Sequence, residues 1–161
     1  MLNNIKKRTK DQKGFTIIEV LIVLAIAGLI LLIVFLAVPA LQRNSRNTTL
    51  KSDVQAVAGG ISEYSSNNAG AIPAAAAGSI TGSGSSLVIG SAGATASVKV
   101  NGSTTVTAIT AAPGYAAGAF PKSTIQVWFA HDCTAAASAR ATAIYFGVEN
   151  ATGTTQQCQD S

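Results

Sequence analysis

The chain has 161 residues, 48% of them hydrophobic and only 11% charged, with a mass of 16.2 kDa and a mean hydropathy of +0.36. That length suits one globular domain plus an extension. The composition excludes a charge-rich disordered chain and does not resemble a typical cytosolic enzyme. A formal net charge of +4 would, spread over the molecule, suggest nucleic acid or an anionic surface as partner.

The charge is not spread. Residues 1–14, MLNNIKKRTKDQKG, set Lys6, Lys7, Arg8, Lys10 and Lys13 against Asp11, which accounts for the whole excess; the remainder holds six bases and six acids. A nucleic-acid-binding face needs Lys and Arg clustered with aromatics between them. The last hundred residues contain only Lys99, Lys122 and Arg140 as bases, so no direct nucleic-acid binding is expected.

From Phe15 to Val38 the chain reads FTIIEVLIVLAIAGLILLIVFLAV, with Glu19 as its single charge. As a helix this run is about 36 Å long, enough to cross a hydrocarbon layer of about 30 Å. Eighteen of its 24 residues are Leu, Ile, Val or Phe. At roughly −0.4 kcal/mol each against about +3 kcal/mol for one carboxylate, insertion is favourable by several kcal/mol. The basic leader orients the N-terminus to the cytoplasm and places residues from Pro39 onward outside. A cleaved secretory signal has an apolar region of about 7–15 residues ending in small residues. This run is too long for that, and Val38-Pro39-Ala40 is a poor cleavage site. A plain signal anchor fits its length but has no use for a carboxylate in the first turn. An ionisable group inside a membrane segment points to function and to a partner.

The stretch Lys13-Gly14-Phe15-Thr16-Ile17-Ile18-Glu19-Val20-Leu21-Ile22-Val23-Leu24-Ala25-Ile26 resembles the class III signal of type IV pilins and the related pseudopilins. A basic leader ends in Gly, Phe follows, Glu stands four residues later, and an unbroken apolar helix continues. The resemblance implies cleavage between Gly14 and Phe15 by a membrane prepilin peptidase, then N-methylation of Phe15, with the helix retained. Cleavage frees an amine of unperturbed pKa about 7.7–8 at the helix start, a cation with which Glu19 can pair. In pilins that pairing is understood to join neighbouring subunits. Breaking a buried pair costs about 3–5 kcal/mol, so Glu19 would serve assembly as a register device.

Beyond the run, Leu50, Val54, Val57, Ile61 and Tyr64 are spaced 4, 3, 4 and 3 and form one helical stripe. Pro39 lacks an amide donor and should kink or loosen the helix, exposing carbonyls near Phe35. Gly59-Gly60 marks either a close helix–sheet contact or a bend, and Asn67-Asn68-Ala69-Gly70 should end the helix. Residues 71–86, mostly Ala, Gly and Ser, read as a surface loop. Their Gly82-Ser83-Gly84 lacks the Gly-Lys-Ser/Thr ending of a phosphate-binding loop.

Strand patterns follow. Leu87-Val88-Ile89 is short and apolar. Ser97–Val100 and Thr104–Ala108 alternate around Asn101-Gly102, a hairpin signal because a two-residue turn wants positive φ. Residues 125–129 and 143–148 are rich in β-branched and aromatic residues. The expected fold is α+β: a long N-terminal helix packed on an antiparallel sheet of about four strands, the layout that the pilin resemblance also implies. Four regions result: a leader at 1–14, a membrane and filament-core helix at 15–38, its amphipathic continuation at 39–68, and a β-rich head at 69–161.

Cys133 and Cys158 are the only cysteines. Outside the membrane they are expected to form a disulfide that closes the C-terminal loop, as pilins commonly have, with two free thiols as the alternative. The chain-entropy model values that closure at about 3 kcal/mol. His131-Asp132-Cys133 lacks the spatial orientation that a Cys–His nucleophile needs. With one His and no paired Cys motif, no zinc site is expected. Asp132, Glu149 and Asp160 are acids that a calcium site would draw on, but no EF-hand-like spacing supports one. Three triplets, Asn47-Thr48-Thr49, Asn101-Gly102-Ser103 and Asn150-Ala151-Thr152, match the N-glycosylation pattern.

No catalytic residue, metal or cofactor is expected. The reading is a type IV pilin precursor. It would sit in the plasma membrane with its head outside, then polymerise with itself into a surface filament for adhesion, twitching motility or DNA uptake. Prepilin peptidase, a membrane assembly platform and an assembly ATPase are the partners that the resemblance implies. The alternatives are a pseudopilin of a secretion or competence apparatus and, in a different class, a membrane-anchored β-rich binding protein.

Overall fold

The computed structural model describes residues 14–73, 80–83, 86–91, 94–116 and 118–161. The chain divides into two units, Met1–Ala40 and Leu41–Ser161, and its one described helix, α1, spans Ile17–Asn67.

In the first unit every large apolar side chain of α1 is exposed, from Ile17 to Val38, and an 18-residue window reaches a mean hydropathy of 3.4. Water is the wrong solvent for such a surface; lipid, or other apolar helices, is the right one. Helical structure runs through Pro39 rather than ending there. The missing Pro39 amide still takes the usual i+4 donor from the Phe35 carbonyl.

In the second unit, α1 buries Leu50, Val54, Val57, Ile61 and Tyr64, the expected stripe in full. The helix stops where its polar end predicts. Ala69 turns left-handed at φ 55°, and the Gly70 amide bonds back to the Ser65 carbonyl at 2.8 Å, a Schellman closure. Asn68 adds its side-chain amide to the Tyr64 carbonyl at 2.7 Å.

Among the described residues, seven strands form two sheets. The smaller sheet is β1 (Ile80–Ser83), β2 (Ser86–Ser91) and β3 (Ala94–Val98), antiparallel throughout. The larger has the order β4-β5-β6-β7, made of Thr105–Ala108, Thr124–His131, Ala137–Asn150 and Gly153–Asp160. Its β4–β5 pair is parallel and its other pairs are antiparallel. Leu50, Val54, Val57 and Ile61 of the helix stripe, Leu87 and Ile89 of β2, Val98, and the inward residues Ile125, Val127, Phe129, Ile144 and Phe146 make one core. Gly60 is what allows the close helix–sheet contact: a Cβ there would sit 2.1 Å from Val98 Cγ2.

The α+β architecture with a four-stranded sheet is present, together with a second sheet. The Asn101-Gly102 hairpin is not. Neither residue takes a positive φ, and the turn is closed instead by the Thr104 amide on the Asn101 carbonyl at 2.9 Å. Its flanks go to different sheets. Buried Asp53 of α1 explains the departure, because its carboxylate accepts the Asn101 amide at 3.0 Å and the Thr104 hydroxyl at 2.5 Å. The connection is thereby latched to the helix, and Val98 and Val100 turn into the core. The expected 71–86 loop contains β1 and the start of β2; its residues 74–79 and 84–85 lie outside the described ones.

Candidate functional site at the helix start

Gly14 has open space where a Cβ would stand, and Phe15 is 88% exposed. The Gly14–Phe15 peptide bond therefore lies in accessible, non-helical chain just ahead of α1. Thr16 is the N-cap. Its hydroxyl accepts the Glu19 amide at 3.3 Å, while Glu19 Oε2 accepts the Thr16 amide at 2.8 Å and the Thr16 hydroxyl at 2.7 Å. This reciprocal pattern is a capping box. It satisfies helix-end donors that an apolar surrounding would leave without partners, and it directs the carboxylate to the positive end of the helix dipole. Thr16 was overlooked in the sequence, although Thr-x-x-Glu before an apolar run is the signal for such a cap.

The expected disulfide is formed, joining Cys133 to Cys158 with Cα atoms 5.8 Å apart. It ties the β5–β6 connection to β7, whose Cys158 pairs with Tyr145 of β6. Beside it the His131 ring stacks on Trp128, with centroids 3.7 Å apart, and His131 Nδ1 lies 3.1 Å from the Phe129 carbonyl. Burial raises the Tyr145 hydroxyl above its ordinary pKa, helped by the charges of Asp160 and Asp132. Cys133 is oxidised and His131 is stacked, so the two do not form a nucleophilic pair.

The three acids considered for calcium do not gather. Asp132 caps its own turn, accepting the Thr134 hydroxyl at 2.6 Å and the Ala136 amide at 3.0 Å. Those bonds, led by the one from the Thr134 hydroxyl, hold its carboxyl below the ordinary range. Asp160 accepts the Cys133 amide at 2.7 Å. Glu149 is buried and takes both ends of the Arg46 guanidinium at 2.8 Å. The Arg46 hydrogen bond, followed by the charges of Arg46, Lys122 and Arg43, holds Glu149 below its ordinary pKa despite burial. Asp160 does lie near both cysteine sulfurs, but a disulfide offers no thiolate to a metal. Of the three Asn triplets, Asn47 is engaged on both sides, donating to the Glu149 carbonyl at 2.9 Å and accepting the Glu149 amide at 2.8 Å.

Residues 9–35 match a family model described as the prokaryotic N-terminal methylation motif. No curated protein and no solved structure matches the chain. A methylation motif leading into an exposed apolar helix supports a precursor of the prepilin type and fits membrane anchoring before assembly. The motif is the class III signal of the type IV pilin and pseudopilin family, and it implies processing by a prepilin peptidase.

Proposed function

We propose that the chain is a structural subunit precursor of a type IV pilus. Prepilin peptidase removes residues 1–14, Phe15 becomes N-methylated, and the subunit waits in the membrane with its head outside. An assembly platform and ATPase then extract it into a filament of identical subunits. The carrying observation is the apolar stretch of α1, exposed along its length, with Glu19 as its single charge held in the first turn by Thr16. Packed against copies of itself, this surface loses its contact with lipid or water, and Glu19 meets a methylated amine. A charge left without its partner there costs about 3–5 kcal/mol, which fixes the axial offset between subunits. The subunit contributes architecture rather than catalysis, and its filament serves adhesion, twitching motility or DNA uptake.

The test is a Glu19→Ala variant expressed in the native cell. The precursor should still insert and be processed, whereas electron microscopy of sheared surface material should show filaments lost or sharply reduced. Normal filament numbers would defeat the proposal. Short periplasmic or wall-spanning assemblies from the unaltered chain would point to a pseudopilin instead.

A further inference from the structure

We propose that Asn101 is a site of self-modification: the backbone nitrogen of Gly102 attacks its side-chain amide to give a succinimide, which water opens to aspartate or isoaspartate. Asn101 is the only asparagine in the chain followed by glycine, and the pair lies in the exposed turn between β3 and β4. Asn101 Oδ1 accepts the Ser103 amide at 3.0 Å and the Ser103 hydroxyl at 2.8 Å. Those two donors polarise the side-chain carbonyl and face the oxygen on which negative charge develops when Cγ is attacked. The ring closed by the Ser103 amide bond runs through both Asn101 Cγ and the Gly102 nitrogen, so the reacting atoms are held in one turn. A Cβ built on Gly102 meets nothing within 4 Å, and without one the nitrogen is approached unhindered. Among the described residues the Gly102 amide donates no backbone hydrogen bond. Asn101 also lines an open groove of about 630 Å³ together with Asp53 and Lys99, which gives water access to the turn.

In the first step the Gly102 nitrogen gives its proton to solvent and bonds to Cγ. The Cγ–Nδ2 bond breaks, and the amide nitrogen takes up a proton and leaves as ammonia. Water then adds to one of the two imide carbonyls. Opening at Cγ restores the peptide bond with an aspartate side chain; opening at the backbone carbonyl carries the chain through Cγ as isoaspartate. The sum is asparagine plus water going to a carboxylic acid plus ammonia, with no change of oxidation state. Either product disturbs the latch on α1. A new carboxylate stands beside the turn whose Asn101 amide Asp53 holds at 3.0 Å, and like charges oppose each other there. Isoaspartate also takes the Asn101 carbonyl, the acceptor of the Thr104 amide at 2.9 Å, out of the path of the chain. Asn150 provides an internal comparison. Its Oδ1 accepts the Thr152 amide at 3.0 Å and the Thr152 hydroxyl at 3.1 Å, which is the same turn. Ala151 follows it in place of glycine, and its Nδ2 is engaged by Thr155 Oγ1 at 2.8 Å.

The full-length chain in detergent would be held at mildly alkaline pH and sampled over days by peptide mapping, with isoaspartate read by enzymatic methyl labelling and ammonia assayed. Asn101 should convert to a mixture of aspartate and isoaspartate with an equal amount of ammonia released, while Asn150 stays intact. Gly102→Ala should slow the conversion severalfold or more. Ser103→Ala, which removes one of the two donors, should slow it by about 2–10-fold, the equivalent of one hydrogen bond. Trp128 fluorescence should show the converted head unfolding at a lower temperature than the fresh one. An intact Asn101, conversion to aspartate without isoaspartate, or equal conversion of Asn101 and Asn150 would overturn the proposal.

Discussion

Gly59 and Gly60 are neighbours on α1, and the same substitution at each should have opposite effects. A Cβ on Gly59 meets nothing within 4 Å, and the residue has ordinary helical φ, so Gly59→Ala should stabilise by about 0.4–1 kcal/mol through chain entropy alone. A Cβ on Gly60 would lie 2.1 Å from Val98 Cγ2 and 3.2 Å from Ile89 Cδ1. Carbon pairs rest at about 3.5–4.0 Å, so the first overlap is roughly 1.4 Å. Val98 and Ile89 are both buried in the core and have no room to swing aside. Overpacking of this kind costs about 1–3 kcal/mol, of which better helix propensity returns less than about 1 kcal/mol. The helical gain is common to both and cancels, so the two variants should differ by about 1–3 kcal/mol, or roughly 4–12 °C in Tm for a unit of this size. Trp128 is the only tryptophan and is buried, so its fluorescence reports unfolding of the head in detergent-solubilised protein. Adding Val98→Ala to Gly60→Ala removes the overlapping atom, and the pair should cost less than the sum of the single changes by about 0.5–3 kcal/mol. Equal stability of the two glycine variants, or strict additivity in the cycle, would refute the close-contact account.

The other stability predictions concern separate latches. Cys158→Ser, with the disulfide gone, should lower stability by about 3 kcal/mol, read by the same fluorescence, without altering membrane insertion. Asp53→Ala should cost about 1–3 kcal/mol by stranding the buried Thr104 hydroxyl and the Asn101 amide, whereas Asp53→Asn keeps an acceptor and should cost less. Glu149 has a folded pKa below its unfolded value of about 4.3, chiefly through the Arg46 hydrogen bond. Its contribution is therefore complete above that pH and is lost as pH falls through the folded value. An acid-unfolding titration should show that loss in the parent chain and not in Glu149→Gln.

The sequence carried the helix well because α1 obeys local rules. The apolar run, the stripe from Leu50 to Tyr64 and the stop at Asn67 are each written in side-chain periodicity and end chemistry. The sheets were less legible because pairing is non-local. Asn101-Gly102 has the composition of a hairpin turn, yet Asp53, about fifty residues earlier, captures the turn and sends its flanks to separate sheets. Strand β7, GTTQQCQD, is polar and at the edge of its sheet, so it has no apolar alternation to announce it and depends on pairing with β6. Gly60 was ambiguous between contact and bend until Val98 stood opposite it. At the helix start the Thr16 cap is legible as Thr-x-x-Glu ahead of an apolar run. The Arg46–Glu149 clamp joins residues 103 positions apart, and no local pattern encodes such a pairing.

The central claim is that the leader is removed and the helix kept, and the mature N-terminus tests it most directly. Mass spectrometry of the protein isolated from its native membrane or surface filaments should find a chain that begins at Phe15 and carries a methyl group on its amine. An intact Met1, or a chain cut after Ala40 that has lost the apolar helix, would contradict the account.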